Sequence, residues 1–431
     1  MLTAFVGYVN KKYVLFLVCM LGLVSKFFML DTTEDVMGAI KGSDIALVLI
    51  LVLLPIVYDR NKDLFSIHGD TLARWTYIFL SFYVIEMIIT VIVGRESLFN
   101  GLKVIRNSFF MLGFFVLKAI PIKCYKRFLV IALWITLIQS ILYFLQFAGI
   151  NLLSGERDVL VDADYYITNT PTLTVLFLFL LWRFNFLGEK RFLLIAVLLA
   201  VVLSSYVRGT IIAVLLGFAY YSTFVGRRNN RLITITLLLL FIPLALRYVN
   251  KKAEITGSSH KNLEEIGYVL NQRSNMGNIS EEDGNFSFRM AMLYERIDWL
   301  RDNPRYILTG VGAMHEDSPK TLQMFNFSIG TYNMNRFYGR TIIESGDIAW
   351  VPIVLRYGLI GVFVHIMMFF LLFNVSRKRE DLLVMLSAYA IAVFLRTFDG
   401  AYFETPELIY IHALLFAMVS RANIENKPVV M

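Results

Sequence analysis

A group of basic side chains near the predicted membrane boundaries is suited to binding an anion. The guanidinium group matches phosphate oxygens, and fixed cations stabilise the charge that a leaving diphosphate gains as its bond breaks. Alone, each of four of these side chains is better explained as an interfacial residue whose cation reaches water: Lys103, Arg106, Arg208 and Arg396. Together they predict an outer-leaflet cavity that holds a lipid-linked phosphate or diphosphate. The cations are Lys103, Arg106, Arg208, Arg289, Arg296 and Arg396.

An acidic residue beside this predicted cavity would serve as a general base. Asp347 falls where the chain re-enters the membrane, and a carboxylate within hydrogen-bond reach can take a hydroxyl proton. Glu344 and His315 are the reserve candidates. Asp347 is explained equally well as a helix cap or as a partner for Arg356. We therefore expect Asp347 to be catalytic, with this structural role as its alternative.

The segment around His315 offers weak evidence for other chemistry. Gly310 and Gly312 flank one valine without a strand or a third glycine, so a tight turn with close backbone approach explains them better than a phosphate loop. His315 has no second histidine at ligand spacing, and two cysteines exclude a Cys-rich metal site. We expect no metal and no cofactor, and we include His315 and both glycines among the substrate-binding candidates.

The composition indicates what kind of scaffold must position these residues. Of 431 residues, 57% are hydrophobic and only 17% are charged, whereas a soluble domain carries about 25% charged residues. A chain this apolar could not cover its own surface in water, which excludes a cytosolic enzyme. The sequence therefore predicts an all-α polytopic membrane protein.

About twelve apolar stretches are predicted to cross the bilayer as helices. The chain that follows the first stretch lacks a signal-peptide cleavage site, so we expect that helix to be retained. The predicted spans are 13–29, 41–58, 76–93, 102–120, 128–149, 171–187, 191–206, 209–225, 232–247, 347–374, 381–396 and 407–420.

The distribution of Lys and Arg sets the predicted orientation. With a cytoplasmic N-terminus, the inner connections hold most of these residues and the short outer loops hold few. The formal net charge of +8 is therefore mostly a topology signal, and we expect no nucleic-acid partner. The prediction is a multi-pass protein that contacts membrane lipids and has both termini in the cytoplasm.

One long outer connection between the ninth and tenth spans divides the chain into three parts. We assign residues 1–247 to nine spans, 248–345 to the outer loop, and 346–431 to the last three spans and the C-terminus. Long ordered loops are usually functional, and the alternative is a floppy connection. Within the loop, apolar residues at helical spacing predict an amphipathic helix over about 288–303. Such a helix would lie at the membrane surface or roof the helical bundle.

The order of several short motifs resembles the bacterial O-antigen polymerase and O-antigen ligase superfamily. The motifs are a Ser-x-x-Arg turn between two helices, an arginine that opens the amphipathic helix, a proline before Gly-x-Gly, and Gly-Leu-Ile-Gly within a span. They occupy Ser205 and Arg208, Arg289, Pro304, Gly310 and Gly312, and residues 358–361. The resemblance covers roughly residues 195–365.

This resemblance implies an inverting, metal-independent sugar transferase of the bacterial inner membrane, with a GT-C-like fold and a site that faces the periplasm. Its donors would be glycans on undecaprenyl diphosphate, and the family's two functional arginines correspond to Arg208 and Arg289. The ligase branch has a His-Asn pair eleven residues before its first glycine, where this chain has Asp347 and Ile348. The departure favours a polymerase of O-antigen or a related surface polysaccharide. A chain-length regulator is a candidate partner.

Other functions stay open beside the polymerase. An O-antigen ligase would share the fold and donor but transfer finished glycan to lipid A–core. A flippase or transporter also has about twelve helices, but transporters place their site near the midplane in repeated halves, and no halves repeat here. A receptor or assembly scaffold would explain neither the intramembrane arginines nor the glycine segment.

Overall fold

The computed structural model describes most of the chain, and the described part is mostly helical. The described residues are 1–25, 41–148, 150, 157–159, 166–168, 173–184, 187–204, 208–225, 285–325, 327, 343, 348–398, 400, 403 and 405–425. The predicted ninth span, 232–247, lies outside them.

The first part of the chain forms helices and one small hairpin. The helices are α1 (Leu2–Val9), α2 (Tyr13–Val24), α3 (Gly42–Arg60), α4 (Thr71–Ile92), α5 (Leu98–Ile105), α6 (Gly113–Lys118) and α7 (Ile122–Leu145). A 3-10 segment, Arg106–Leu112, joins α5 to α6. Strands β1 (Arg157–Val159) and β2 (Tyr166–Thr168) pair antiparallel. The hairpin adds two strands to the predicted all-α fold, because three residues are too few to produce a recognisable alternation.

The second part of the chain continues with helices. They are α8 (Thr174–Leu180), α9 (Lys190–Ser204), α10 (Arg208–Tyr220), α11 (Asn285–Asp302), α12 (Pro319–Met324), α13 (Trp350–Ser376), α14 (Met385–Arg396) and α15 (Pro406–Ile424). Helix α11 lies where we predicted the amphipathic helix of the outer loop. The boundaries of the three predicted parts stay predictions.

Five of these helices, α3, α4, α7, α13 and α15, are long and apolar enough to cross a membrane. Each other predicted span within the described residues coincides with shorter helical segments, such as α2 and α14. The described part is therefore consistent with an all-α membrane protein. The number of spans and the GT-C-like arrangement stay predictions.

The short helix α6 lies at the centre of the bundle. All six of its residues are buried, and it packs against α3 and α15. A Cβ added at Gly113 would lie 3.3 Å from the Ile50 side chain, so the glycine allows this close packing. A helix that is buried on every side is typical of the core of a large membrane protein.

A second, smaller apolar cluster lies outside the main core and orders the described part of the outer loop. It joins α11 and the residues that follow it to α13, which contributes Leu355. Its other buried members are Leu300, Tyr306, Val311, Met314, Phe325, Phe327 and Ile343. The described part of the loop is therefore packed onto the bundle, which contradicts a floppy connection there.

Ionic contacts join the predicted inner connections to one another at one end of the bundle. Lys118 Nζ lies 2.6 Å from Asp70 Oδ2, and this carboxylate also accepts a hydrogen bond from Ser420 Oγ. Arg379, in the connection between α13 and α14, pairs with Asp381 at 2.6 Å and donates to Asn423 Oδ1 at the end of α15 at 2.5 Å. In the predicted topology, inner and outer connections alternate along the chain, and all these groups lie on the inner side of the membrane. The packing is consistent with this topology.

Residues at the predicted outer ends of the helices meet at the opposite end of the bundle. Arg106 Nη1, in the connection after α5, lies 3.3 Å from Asp44 Oδ1 in the first turn of α3. The Ala349 N–H, just before α13, donates to the Thr397 carbonyl just after α14 at 3.0 Å. This outer end also holds the residues described next.

Candidate functional site

Helix α13 is broken at Gly358, and residues of the outer loop pack onto this break. Gly358 has φ 56° and ψ −154°, a conformation that only glycine adopts readily. The break leaves the Leu355 and Arg356 carbonyls without partners in the helix. They accept hydrogen bonds from the Val311 N–H at 3.0 Å and the Gly312 N–H at 2.8 Å.

The same outer segment also satisfies the donors beyond the break. The Leu359 N–H donates to the Ile307 carbonyl at 2.9 Å, and the Ile360 N–H donates to the Leu308 carbonyl at 3.0 Å. We call residues 307–318 the docking segment. Irregular backbone at membrane depth needs such internal partners, because lipid offers none. The docking segment and the broken helix therefore stabilise each other.

Gly310 and Gly312 allow this contact because they lack side chains. A Cβ at Gly310 would overlap the Arg356 carbonyl, and one at Gly312 would overlap Thr90 Oγ1. Both have positive φ, at 67° and 92°. The expected tight turn with close backbone approach is therefore present, and the approach is to protein backbone and side chain. A further role of the two glycines in substrate binding stays a prediction.

The end of α4 holds the other side of the docking segment. The Ala313 N–H donates to Thr90 Oγ1 at 2.9 Å, and the Thr90 hydroxyl donates to the Glu86 carbonyl at 2.6 Å. Arg95, just beyond α4, donates from Nη1 to the Val311 carbonyl at 3.0 Å. These contacts fix the docking segment between α4 and α13.

Glu96 is a buried carboxylate that orients the histidine backbone. Its Oε2 accepts from the His315 N–H at 3.1 Å, while Oε1 accepts from the Ser97 N–H and from Asn100 Nδ2. Burial alone would raise the pKa of Glu96, but these hydrogen bonds and one with Ser318 outweigh it and hold the pKa below its ordinary value. Glu96 is thus an anion that anchors the docking segment.

The predicted substrate cations do not all meet here. Lys103 is exposed and lies over the Phe99 ring at 4.7 Å, and Arg106 pairs with Asp44 on α3. These two contacts are separate from the docking segment. Their binding of substrate stays a prediction.

Arg296 is built into the packing of the outer loop. It is 1% exposed, its Nη1 lies 2.8 Å from Glu295 Oε2, and its guanidinium lies over the Phe327 ring at 4.2 Å. Burial lowers its pKa to about 10, and the charges of Glu295 and Glu316 oppose that shift. This side chain stabilises the loop, and contact with substrate stays a prediction for it.

For the other three predicted cations, the structure gives the position on a helix. Arg289 is half-buried on α11, and Arg396 is half-buried at the last residue of α14, next to Thr397. Arg208 begins α10, and its side chain lies outside the described atoms. The convergence of these three arginines therefore stays a prediction.

Of the three predicted bases, the structure describes only His315. Asp347 and Glu344 lie outside the described residues, although Ala349, two positions after Asp347, contacts the residue that follows Arg396. His315 is partly exposed, and its Nδ1 accepts from the Asp317 N–H at 3.2 Å. Within the described ranges, no three His, Cys, Asp or Glu side chains are grouped to hold a metal ion.

Sequence reasoning named neither Glu96 nor a second acidic residue of this region, Glu86. It lies on α4, one turn before Thr90, and is only 6% exposed. The signal was available as a single acid inside the apolar run of the predicted third span. Ionisable residues inside a span are functional hypotheses by default.

Comparison with known proteins adds one finding. Residues 192–354 match the family model described as O-antigen ligase. No curated protein matches the chain. The matched range includes Arg208, Arg289 and the docking segment. The resemblance to the O-antigen ligase and polymerase superfamily is thereby confirmed for this part of the chain.

Proposed function

We propose that this chain, whose central region carries the O-antigen ligase family signature, is a polymerase of O-antigen or a related surface polysaccharide. The family covers the ligase and related polymerases, enzymes that act on lipid-linked glycans in the membrane. The observation that carries the proposal is the family match over residues 192–354. The packed docking segment, a part of the loop ordered against broken α13, supports it.

The donor in this proposal is a growing glycan on undecaprenyl diphosphate. Arg208 begins a helix and Arg289 lies on the amphipathic helix packed against α13, both within the family match. Their guanidinium groups would bind the diphosphate oxygens, with Lys103, Arg106, Arg296 and Arg396 as further candidates. Fixed cations stabilise the leaving diphosphate more than the bound substrate, because its charge grows in the transition state.

The acceptor is a second lipid-linked repeat unit whose non-reducing-end hydroxyl attacks the anomeric carbon. Attack from the face opposite the diphosphate forms the new glycosidic bond, breaks the bond to diphosphate and inverts the carbon. The hydroxyl proton passes to a base, for which the sequence offers Asp347, then Glu344 and His315. No metal takes part in this scheme, and the site faces the periplasm from the inner membrane.

The ligase is the second candidate, because the matching family is described as O-antigen ligase. The position of the ligase histidine is held by Asp347, which favours the polymerase. The two activities differ in acceptor. Purified protein given only lipid-linked repeats should yield a ladder of longer glycans if it is a polymerase. A ligase would yield product only after lipid A–core is added.

The role of the arginines is tested with Arg208→Ala and Arg289→Ala in the same reconstituted assay. Each should lower the rate of chain extension by about 100-fold or more, because each removes a donor that acts on developing charge. Arg301→Ala is the matched control on α11, because Arg301 is exposed and pairs only with nearby acids in the described structure. Full-length glycan from either test variant, verified as inserted and abundant, would contradict the proposed diphosphate contact.

A further inference from the structure

Four acidic side chains are buried among the described residues, and Glu86 differs from the other three. Asp381 pairs with Arg379, Glu316 accepts from the Ile343 N–H at 2.8 Å, and Glu96 accepts the hydrogen bonds given above. Within the described part of the chain, the Glu86 carboxylate has no hydrogen bond and no ion pair. An unpaired carboxylate in a membrane span is costly, so its presence needs a reason.

The position of Glu86 places it beneath the docking segment. Residues four apart share a helix face, so Glu86 faces the same way as Thr90, which binds the Ala313 N–H. One turn further from the outer end, the Tyr83 ring contacts Tyr357, next to the break in α13, at 5.1 Å. Glu86 therefore lies between two contacts that join α4 to the broken helix. It is roughly 9 Å from the end of α4, at 1.5 Å per residue.

The guanidinium of Arg95 is bound to the docking segment and not to Glu86. Arg95 is close enough to Glu86 for an electrostatic interaction. However, its guanidinium donates to the Val311 carbonyl at 3.0 Å and lies over the Tyr306 ring at 4.8 Å. Arg95 thus stabilises the docking segment without forming an ion pair with Glu86. The carboxylate stays available as a proton acceptor.

The Glu86 carboxylate is buried but not fully enclosed. The residue keeps 6% of its surface exposed, and the described residues do not fully enclose its carboxylate oxygens. The remaining exposure therefore includes the carboxylate. A hydroxyl that reached this exposed part of Glu86 would meet the carboxylate.

We propose that Glu86 is the general base that takes the proton of the attacking acceptor hydroxyl. This inference rests on the proposed glycosyl transfer and deepens it by naming the base. As the hydroxyl oxygen bonds to the anomeric carbon, its proton moves to Glu86. The bond from that carbon to the diphosphate breaks, and its electron pair leaves with undecaprenyl diphosphate. The carboxylic acid then returns the proton to water.

The experiment compares Glu86→Gln, Glu86→Asp and Asp347→Asn in the reconstituted polymerisation assay with defined lipid-linked repeats. Glu86→Gln keeps the shape but cannot take the proton, so kcat should fall about 100-fold or more while KM stays nearly unchanged. Glu86→Asp should keep measurable activity because it retains a carboxylate. Glu189→Gln, the same substitution at an exposed position of the opposite end, should keep full activity.

The outcomes separate the two levels of the proposal. If the unmodified protein extends lipid-linked glycans and Glu86→Gln retains its kcat, the assignment of the base is wrong and the proposed function stands. Loss of activity in Asp347→Asn alone would also contradict the assignment of Glu86 and return the role to Asp347. If the unmodified protein extends no lipid-linked glycan, the proposed function and this inference both fail. A rise in KM without loss of kcat in Glu86→Gln would show a binding role and overturn the proposal.

Discussion

At the scale of single residues, burial decides what each charged side chain can do. In the sequence, nothing distinguishes Arg296 and Glu96 from other charged residues of the predicted outer face. In the structure, both are buried and bound to neighbouring groups. Lys103 is exposed instead. The identity of a cation predicts its chemistry, whereas its burial determines whether that chemistry supports the fold or is free for a ligand.

The lowered pKa of Glu96 leads to a pH-dependent stability. A carboxylate whose pKa is lower in the folded protein stabilises it above the ordinary value of 4.5, and this contribution is lost as the pH falls through the lowered value. Glu96→Gln should destabilise the protein by about 1–3 kcal/mol at neutral pH, because hydrogen bonds to a charged group are lost. The difference in free energy of unfolding between the two proteins should disappear in acid.

This prediction is checked by thermal unfolding in detergent across the acidic range. The melting temperatures of the unmodified protein and Glu96→Gln should converge as the pH falls. A gap of constant size at every pH would show that the charge of Glu96 contributes nothing.

At the scale of elements, the broken helix α13 and the docking segment form one unit. Four backbone hydrogen bonds join them, and none of the four belongs to regular secondary structure. The apolar run predicted a continuous span over 347–374, because the hydropathy of a stretch of about twenty residues changes little at a single glycine. The Gly-Leu-Ile-Gly motif that appeared as a family resemblance is, in the structure, the point at which the helix opens.

We expect Gly358→Ala to disrupt this unit. Alanine at φ 56° is strained by about 1–3 kcal/mol, and its Cβ would lie 2.5 Å from the Ile307 carbonyl oxygen, which adds about 1–3 kcal/mol. Gly188→Ala is the matched control, because Gly188 also has positive φ, 52°, but has open space around it. It should cost only the backbone strain.

Thermal unfolding of both variants in the same detergent measures the difference. Gly358→Ala should lose clearly more stability than Gly188→Ala. Equal losses would mean that the docking segment moves aside freely and does not depend on the break.

At the scale of the whole molecule, the bundle has two distinct ends. Asp70 and Lys118 form an ionic contact at the predicted inner end of the helices, and Asp44 and Arg106 form one at the predicted outer end. The predicted alternation of inner and outer connections was inferred from the distribution of Lys and Arg alone. The packing is consistent with it, while the side that faces the periplasm stays a prediction.

That orientation predicts which positions an impermeant reagent can reach. In a variant with Cys19 and Cys124 replaced by serine, Asp302→Cys should react with an impermeant maleimide in cells with a permeable outer membrane. Glu189→Cys should react only after the inner membrane is opened. Both positions are exposed, so burial does not explain a difference. The opposite labelling pattern would invert the predicted topology.

The sequence by itself determined the class of protein, the positions of the apolar helices within the described residues, and the superfamily resemblance. These depend on composition, apolar runs and short motifs, which are local properties of the chain. Only the tertiary structure decided that Gly310 and Gly312 approach protein backbone and the Thr90 side chain, that Arg296 is buried, and that Glu86 lies unpaired beneath the docking segment within the described residues. Each of these depends on contacts between residues far apart in the chain, and no pattern along one segment carries that information.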